Sequence, residues 1–162
     1  MKKSEDRFFD RIPCILITGK GFSDLATRIL ARKLKTRLEI PVLILSDSNP
    51  FGLAIALTYM LGSARMPIDS QRYIVHALWI GLLPSQIEGL DLPEQAIEIF
   101  TDHDTKKAAS LANSGFVQSH PFYQNEVAHF IRHKVKVELE ALHSHGIDFL
   151  SNFLYTTLRQ SV

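Results

Sequence analysis

Pro41-Val42-Leu43-Ile44-Leu45-Ser46-Asp47-Ser48-Asn49-Pro50-Phe51-Gly52 is the stretch whose reading settles the fold class. Its first half is a short apolar run of the kind that forms a buried strand. Its second half is a turn followed by a helix start, with Asn49 a good N-cap and Pro50 suited to the first helical position. The pattern predicts a helix continuing through Leu53 to Leu61 and stopped at Gly62-Ser63. Upstream, Pro13 to Thr18 reads as another buried strand, ended by Gly19-Lys20-Gly21. Between the two strands, Ser23 or Asp24 caps a helix with Leu25, Ile29, Leu34 and Leu38 on one stripe and Arg28, Arg32 and Lys35 on another. Downstream, the patterns predict a third strand within Tyr73 to Gly81 and a fourth at Ile97 to Phe100. Helices are expected over Asp104 to Asn113, about Phe122 to His143, and Ile147 to Leu158.

Strand and helix alternate, so the expected class is α/β, a mostly parallel sheet with helices on both faces, followed by a helical C-terminal part. Residues 1–162 are expected to form one domain, with an α/β core at about 8–100 and a helical extension at 101–162. The chain is 46% hydrophobic and 22% charged, which excludes a disordered polar chain. Its apolar stretches are too short or too interrupted for a membrane span, which takes about 20 residues. The first residues turn acidic at once and show no apolar signal core, and Cys14 has no second cysteine to pair with. A reducing compartment, cytosol or nucleus, is the expected setting. The net charge of +1 averages two opposite regions. Lys20, Arg28, Arg32, Lys33, Lys35 and Arg37 meet one acid, Asp24, whereas Glu88, Asp91, Glu94, Glu98, Asp102 and Asp104 precede Lys106 without a lysine or arginine among them. The first region suits phosphates, and both also read as solvated helix faces.

In parallel sheets ligands bind beyond the carboxyl ends of the strands, so the turns at Thr18 to Asp24 and Asp47 to Gly52 are the places to look. Asp47, with Asn49 two residues on, offers oxygen donors to a hard cation such as Mg²⁺. The same two residues read equally well as caps of the next helix. Gly19-Lys20-Gly21 offers backbone amides and one cation to a phosphate, but lacks the full mononucleotide and dinucleotide patterns and reads as a plain turn when taken alone. His129 and His133 lie four apart with no intervening zinc-protease glutamate and read as surface residues, as do His143 and His145 near a helix end. Cys14 reads as a small buried side chain, Trp79 as core, and Ser23, Ser48 and Ser63 sit in no nucleophile elbow.

Taken in order, Ile17-Thr18-Gly19-Lys20-Gly21, Asp24-Leu25-Ala26-Thr27-Arg28, the 41–52 stretch, Thr58-Tyr59 with Gly62-Ser63, Trp79-Ile80-Gly81-Leu82 with Pro84-Ser85, and Lys136-Val137-Glu138-Leu139-Glu140-Ala141-Leu142 resemble one family. It is the DNA topoisomerase VI A family with its meiotic relatives of the Spo-eleven type, and the resemblance runs from about Phe8 to Leu158. It implies a Toprim domain that binds Mg²⁺ and supports cleavage of double-stranded DNA by a tyrosine on a separate winged-helix domain. Asp47 matches the family's metal-binding aspartate. Asn49 stands where archaeal members have a second aspartate and some eukaryotic relatives have asparagine, which points to the meiotic branch and to the nucleus. Lys20, Arg28, Arg32 and Lys35 are the implied phosphate contacts. The implied protein partners are a second copy, forming a homodimer, and a topoisomerase VI B-like ATPase, with no membrane. The family's glutamate metal ligand and its nucleophilic tyrosine belong upstream of the matched stretch, and Tyr59, Tyr73, Tyr123 and Tyr155 do not match the nucleophile's surroundings. Met60 stands where the family usually has lysine. Two other readings remain: an inactive DNA-binding or interaction module of the same fold, and a phosphotransferase or hydrolase using Asp47 as nucleophile, against which Asn49 argues.

Overall fold

The computed structural model of the chain describes residues 8–62, 73–146 and 148–161. A short helix α1 (Phe8–Arg11) precedes α2 (Leu25–Leu38), which Asp24 caps by accepting from the Thr27 amide at 2.7 Å. That bond, with the nearby Arg28 charge, holds the Asp24 carboxyl below its ordinary range. Then come β1 (Val42–Leu45), α3 (Pro50–Leu61) and β2 (Ala77–Gly81), with β1 and β2 paired in parallel. Two 3₁₀ turns (Pro84–Leu90 and Glu94–Ala96) lead to β3 (Glu98–Ile99), α4 (Asp102–Ala112), α5 (Gly115–Ser119) and α6 (Pro121–His133). The strand β4 (Val135–Lys136) pairs antiparallel with β3, and a 3₁₀ turn (Leu139–His145) and α7 (Phe149–Ser161) complete the chain. The α/β class with a parallel strand pair agrees with expectation. No helix among the described residues is long and apolar enough to cross a membrane.

The core lies on one face of the β1–β2 pair. Ile44 and Trp79 point into it and meet Leu53, Ala56 and Leu57 of α3, Ala108 and Leu111 of α4, and Val127 and Phe130 of α6. α3 is apolar nearly all round its circumference, and such a helix belongs in an interior. α4 and α6 instead bury one stripe each. A fully buried side chain such as Leu53 contributes roughly 2 kcal/mol through removal from water. A smaller cluster of Leu82, Ile87, Val137 and Leu142 lies under the second half of the chain.

α4 starts at a reciprocal cap: Thr101 Oγ1 accepts from the Asp104 amide at 3.2 Å, and Asp104 Oδ2 accepts from the Thr101 amide at 2.8 Å. Burial alone would raise the Asp104 carboxyl, but the Thr101 bonds and Lys136, 3.7 Å away, hold it below its ordinary range. Lys136 also reaches Glu98 at 3.3 Å, so β4, β3 and α4 share one charged junction.

Two expected elements differ. Pro13 to Thr18 forms no strand, and Ile15, Leu16 and Ile17 are 51%, 69% and 38% exposed. An apolar run becomes a strand only where a neighbour accepts its backbone bonds, and no described segment pairs with this one. Cys14, expected inside, is accordingly exposed. The long helix expected from Phe122 to His143 ends at His133, because Lys134 turns left-handed (φ 52°) and β-branched Val135 and Val137 continue in extended form. The C-terminal part is therefore not wholly helical. Ser63 and Ile147, at expected helix boundaries, lie outside the described residues, as do the side chains of His143 and His145.

Candidate metal and DNA site

Asp47 stands just beyond the carboxyl end of β1, where the chain is held from three directions. The Ser46 amide donates to Gly81 O at 2.8 Å, and the Leu82 amide donates back to Ser46 O, continuing the pairing past the irregularity between Ile44 and Leu45. Trp79, 3% exposed, donates its indole N–H to Ser46 Oγ at 3.0 Å and stacks on Tyr123 with the rings 9° from parallel. On the other side of Asp47, Ser48 is buried and exchanges both backbone bonds with Val137, at 2.8 and 3.1 Å. The turn is thus fixed by β2 before Asp47 and by the 135–137 strand after it.

The Asp47 carboxylate accepts from the Leu139 amide through Oδ1 at 2.8 Å. Oδ2 has no hydrogen-bond partner among the described residues. Asn49 caps α3, its Oδ1 accepting from the Gly52 amide at 2.7 Å. Gly52 has to be glycine here, since a Cβ at that position would lie 2.1 Å from Asp47 O.

A carboxylate oxygen with no partner among the described residues fits Mg²⁺, which takes one or two carboxylates and keeps several waters. Asn49 fits less well, because its amide oxygen already serves the cap. Among the described residues no group of three His, Cys, Asp or Glu side chains stands ready to hold a metal. Leu139 is the participant that sequence reasoning misses: its amide lies 92 residues from Asp47, and no local pattern signals such a contact.

The four basic residues divide. Lys20, between two glycines and left-handed at φ 48°, is exposed, and so is Arg32. Arg28 is buried at 2% exposure, with Nε and Nη1 unpartnered among the described residues, and it does not join a solvated stripe. Lys35 is half-buried and donates to His76 O. The cause is packing. Arg28, Ala31 and Lys35 fall within about 60° of one another on an α2 face that turns inward, whereas Arg32 lies about 40° beyond Arg28 on the side away from Ala31, at the solvent edge of that face. Gly19 comes close to Tyr59, whose hydroxyl would be 3.0 Å from a Cβ placed there, so the turn holding Lys20 leans on α3. Phe22 in the same turn is 55% exposed. Met60 accepts a hydrogen bond from Tyr123 Oη through its sulfur at 3.3 Å.

The family model for the Toprim domain of the topoisomerase 6 A/Spo11 proteins matches residues 1–158. The chain belongs to this family. It is 40% identical over 152 residues to the A3 form of DNA topoisomerase 6 from Oryza sativa subsp. indica, covering 93% of this chain and 34% of that protein. To the meiotic recombination protein SPO11-2 of the same plant it is 38% identical, over 93% of this chain and 38% of that one. To the meiotic recombination protein SPO11 of Mus musculus it is 36% identical, over 91% of this chain and 38% of the relative. This Toprim domain therefore spans little more than a third of the length of these relatives. The family is an isomerase-type one, and its members carry the names of topoisomerases and of meiotic recombination proteins.

Proposed function

We propose that this Toprim domain serves in the Mg²⁺-assisted breakage of double-stranded DNA in meiotic recombination. Asp47 supports this reading best: it lies past the end of a parallel strand, with one carboxylate oxygen oriented by the Leu139 amide and the other without a hydrogen-bond partner among the described residues. A divalent cation held there neutralises charge on the oxygens of a scissile phosphate. The chain's own residues set the geometry. Leu139 and the Ser48–Val137 pairing fix where the carboxylate stands, and Trp79 fixes the residue before it. Asn49 holds the helix that follows and offers its remaining amide groups at the edge of the site. Lys20 and Arg32 are the exposed cations offered to backbone phosphates, positioning duplex DNA without reading its sequence. The attacking tyrosine and a glutamate ligand are assigned to segments outside the matched stretch, with action as a homodimer beside a B-like ATPase in the nucleus.

Asp47→Asn tests the metal assignment, because the amide oxygen still accepts from Leu139 while the negative charge is gone. Mg²⁺-dependent shifts of the amides around Asp47 are expected in the parent chain and not in the variant. Identical titrations would remove Asp47 from the metal site.

A second reading, an inactive module that binds DNA, draws on one observation: Asn49 is engaged as a helix cap. Under it, duplex binding persists when Mg²⁺ is removed and depends on Lys20 and Arg32, each replacement lowering the salt slope by about one.

A further inference from the structure

The start of α2 gathers hydrogen-bond donors and offers them no acceptor. Arg28, 2% exposed, keeps Nε and Nη1 buried without a partner among the described residues, and Ser23, 7% exposed, keeps its Oγ in the same state. A helical side chain leans toward the N-terminus of its helix, so Arg28 reaches back over the first turn toward Asp24 and Ser23. The Asp24 carboxyl feels that charge, but it is exposed, and its Oδ1 serves the Thr27 amide. It leaves Nε and Nη1 unbonded. The Ser23 Cβ and the Tyr59 hydroxyl lie 3.3 and 3.0 Å from the one point that a Gly19 Cβ would occupy, so α3 adds a third hydroxyl-bearing wall to the same corner. The amides of Gly21, Phe22 and Ser23 enter the helix without a backbone acceptor among the described residues. A guanidinium only donates, and a buried donor without an acceptor is costly. The corner lacks an acceptor that carries negative charge.

We propose that Ser23, Arg28 and the first turn of α2 form a binding site for a phosphate group, either free phosphate or a terminal phosphate monoester. The N-terminus of a 14-residue helix favours an anion through its dipole and its unbonded amides, and the buried Arg28 guanidinium supplies the charge-assisted donors. A phosphate group has oxygens enough for Arg28, the Ser23 hydroxyl and the helix amides together, whereas a carboxylate has two. Lys20, exposed in the same turn, adds a second positive charge. The turn is tied by one bond among the described residues, from the Lys20 amide to Thr18 Oγ1 at 3.3 Å, and the ion enters by displacing it. A guanidinium this deeply buried does not meet phosphodiesters on the outside of a duplex, which is the part given to Lys20 and Arg32 above. The site is independent of Asp47 and of any cation held there.

The test is a calorimetric titration of the full chain with inorganic phosphate, in a chelator and at constant ionic strength, so that Asp47 and bound metal play no part. Saturable binding of one phosphate per chain is expected. Affinity should fall at least about 10-fold in Arg28→Met, through loss of the charged donors, and about 5-fold in Ser23→Ala. Circular dichroism shows whether each variant is folded, and phosphate-induced shifts of the Ser23, Leu25 and Ala26 amides in the parent chain give a reading that needs no variant. A duplex with 5′-phosphates that displaces inorganic phosphate better than the same duplex with 5′-hydroxyls would make a nucleic-acid end the source of the group, and equal displacement would make it free phosphate; both keep the site. Equal phosphate affinity in the parent and in folded Arg28→Met would overturn the proposal, as would shifts that never saturate or that miss the start of α2.

Discussion

The region from β1 to α6 and the region from Pro13 to Ile40 are built from similar residues, yet one is closed and the other open. In the first, Leu53, Trp79, Val127 and Phe130 are nearly or fully buried, and Phe100 leans on Phe130 with ring centroids 5.9 Å apart. In the second, Ile15, Leu16, Ile17, Leu30, Leu38 and Ile40 are all more than a third exposed, while Arg28 and Ser23 are buried with unpartnered polar atoms. The first region buries the faces that meet around β1 and β2, even though Leu78 and Ile99 on its outer side are 55% and 80% exposed, and among the described residues the buried unpartnered side-chain polar atoms all lie in the second. Apolar composition does not by itself produce a core. A core forms where backbone pairing and opposed side-chain surfaces occur together, as they do around β1 and β2.

Removing the largest fully buried side chain of the closed region should have the largest effect. Phe130→Ala is expected to cost about 4 kcal/mol, the range for a truncated buried aromatic. Urea denaturation checks it, and a cost below about 1 kcal/mol would mean that this core is far looser than its burial implies. Gly52→Ala comes next, at about 3 kcal/mol, because the added methyl meets the Asp47 carbonyl, which is backbone and has nowhere to move. It should also disturb Mg²⁺ binding, linking the packing of α3 to the candidate site, and a variant as stable as the parent would contradict the close approach. The smallest effect has the opposite sign. Arg28→Met in the open region should be neutral or stabilising by about 1 kcal/mol, since it replaces a buried guanidinium whose Nε and Nη1 have no hydrogen-bond partner among the described residues with an apolar side chain of similar length. Thermal denaturation of the chain alone decides it, and a marked loss of stability would show that the attraction between Arg28 and the nearby Asp24 carboxylate outweighs the cost of burying the guanidinium.

Much of the site is legible locally. Asn49-Pro50 starts α3 as expected, Asp24 caps α2, and Trp79 is core. These features depend on residues within one turn of one another or on a single apolar run, so the linear order carries them. The run at Pro13 to Thr18 misleads because its pattern is that of β1, and only the presence or absence of a neighbouring strand distinguishes the two. The division of the basic residues is also hidden, because a helical stripe does not reveal which way it faces.

The amino-acid sequence alone therefore determined the family, the α/β class, the turn that carries Asp47, and the cap that follows it, all through short-range spacing and residue type. Tertiary structure decided which Asp47 oxygen is engaged, that Arg28 lies inside while Arg32 lies outside, and that Glu88 stands beside His133. Each of these depends on groups far apart in the chain, and their meeting is set by the packing of whole elements rather than by any preference of the residues themselves.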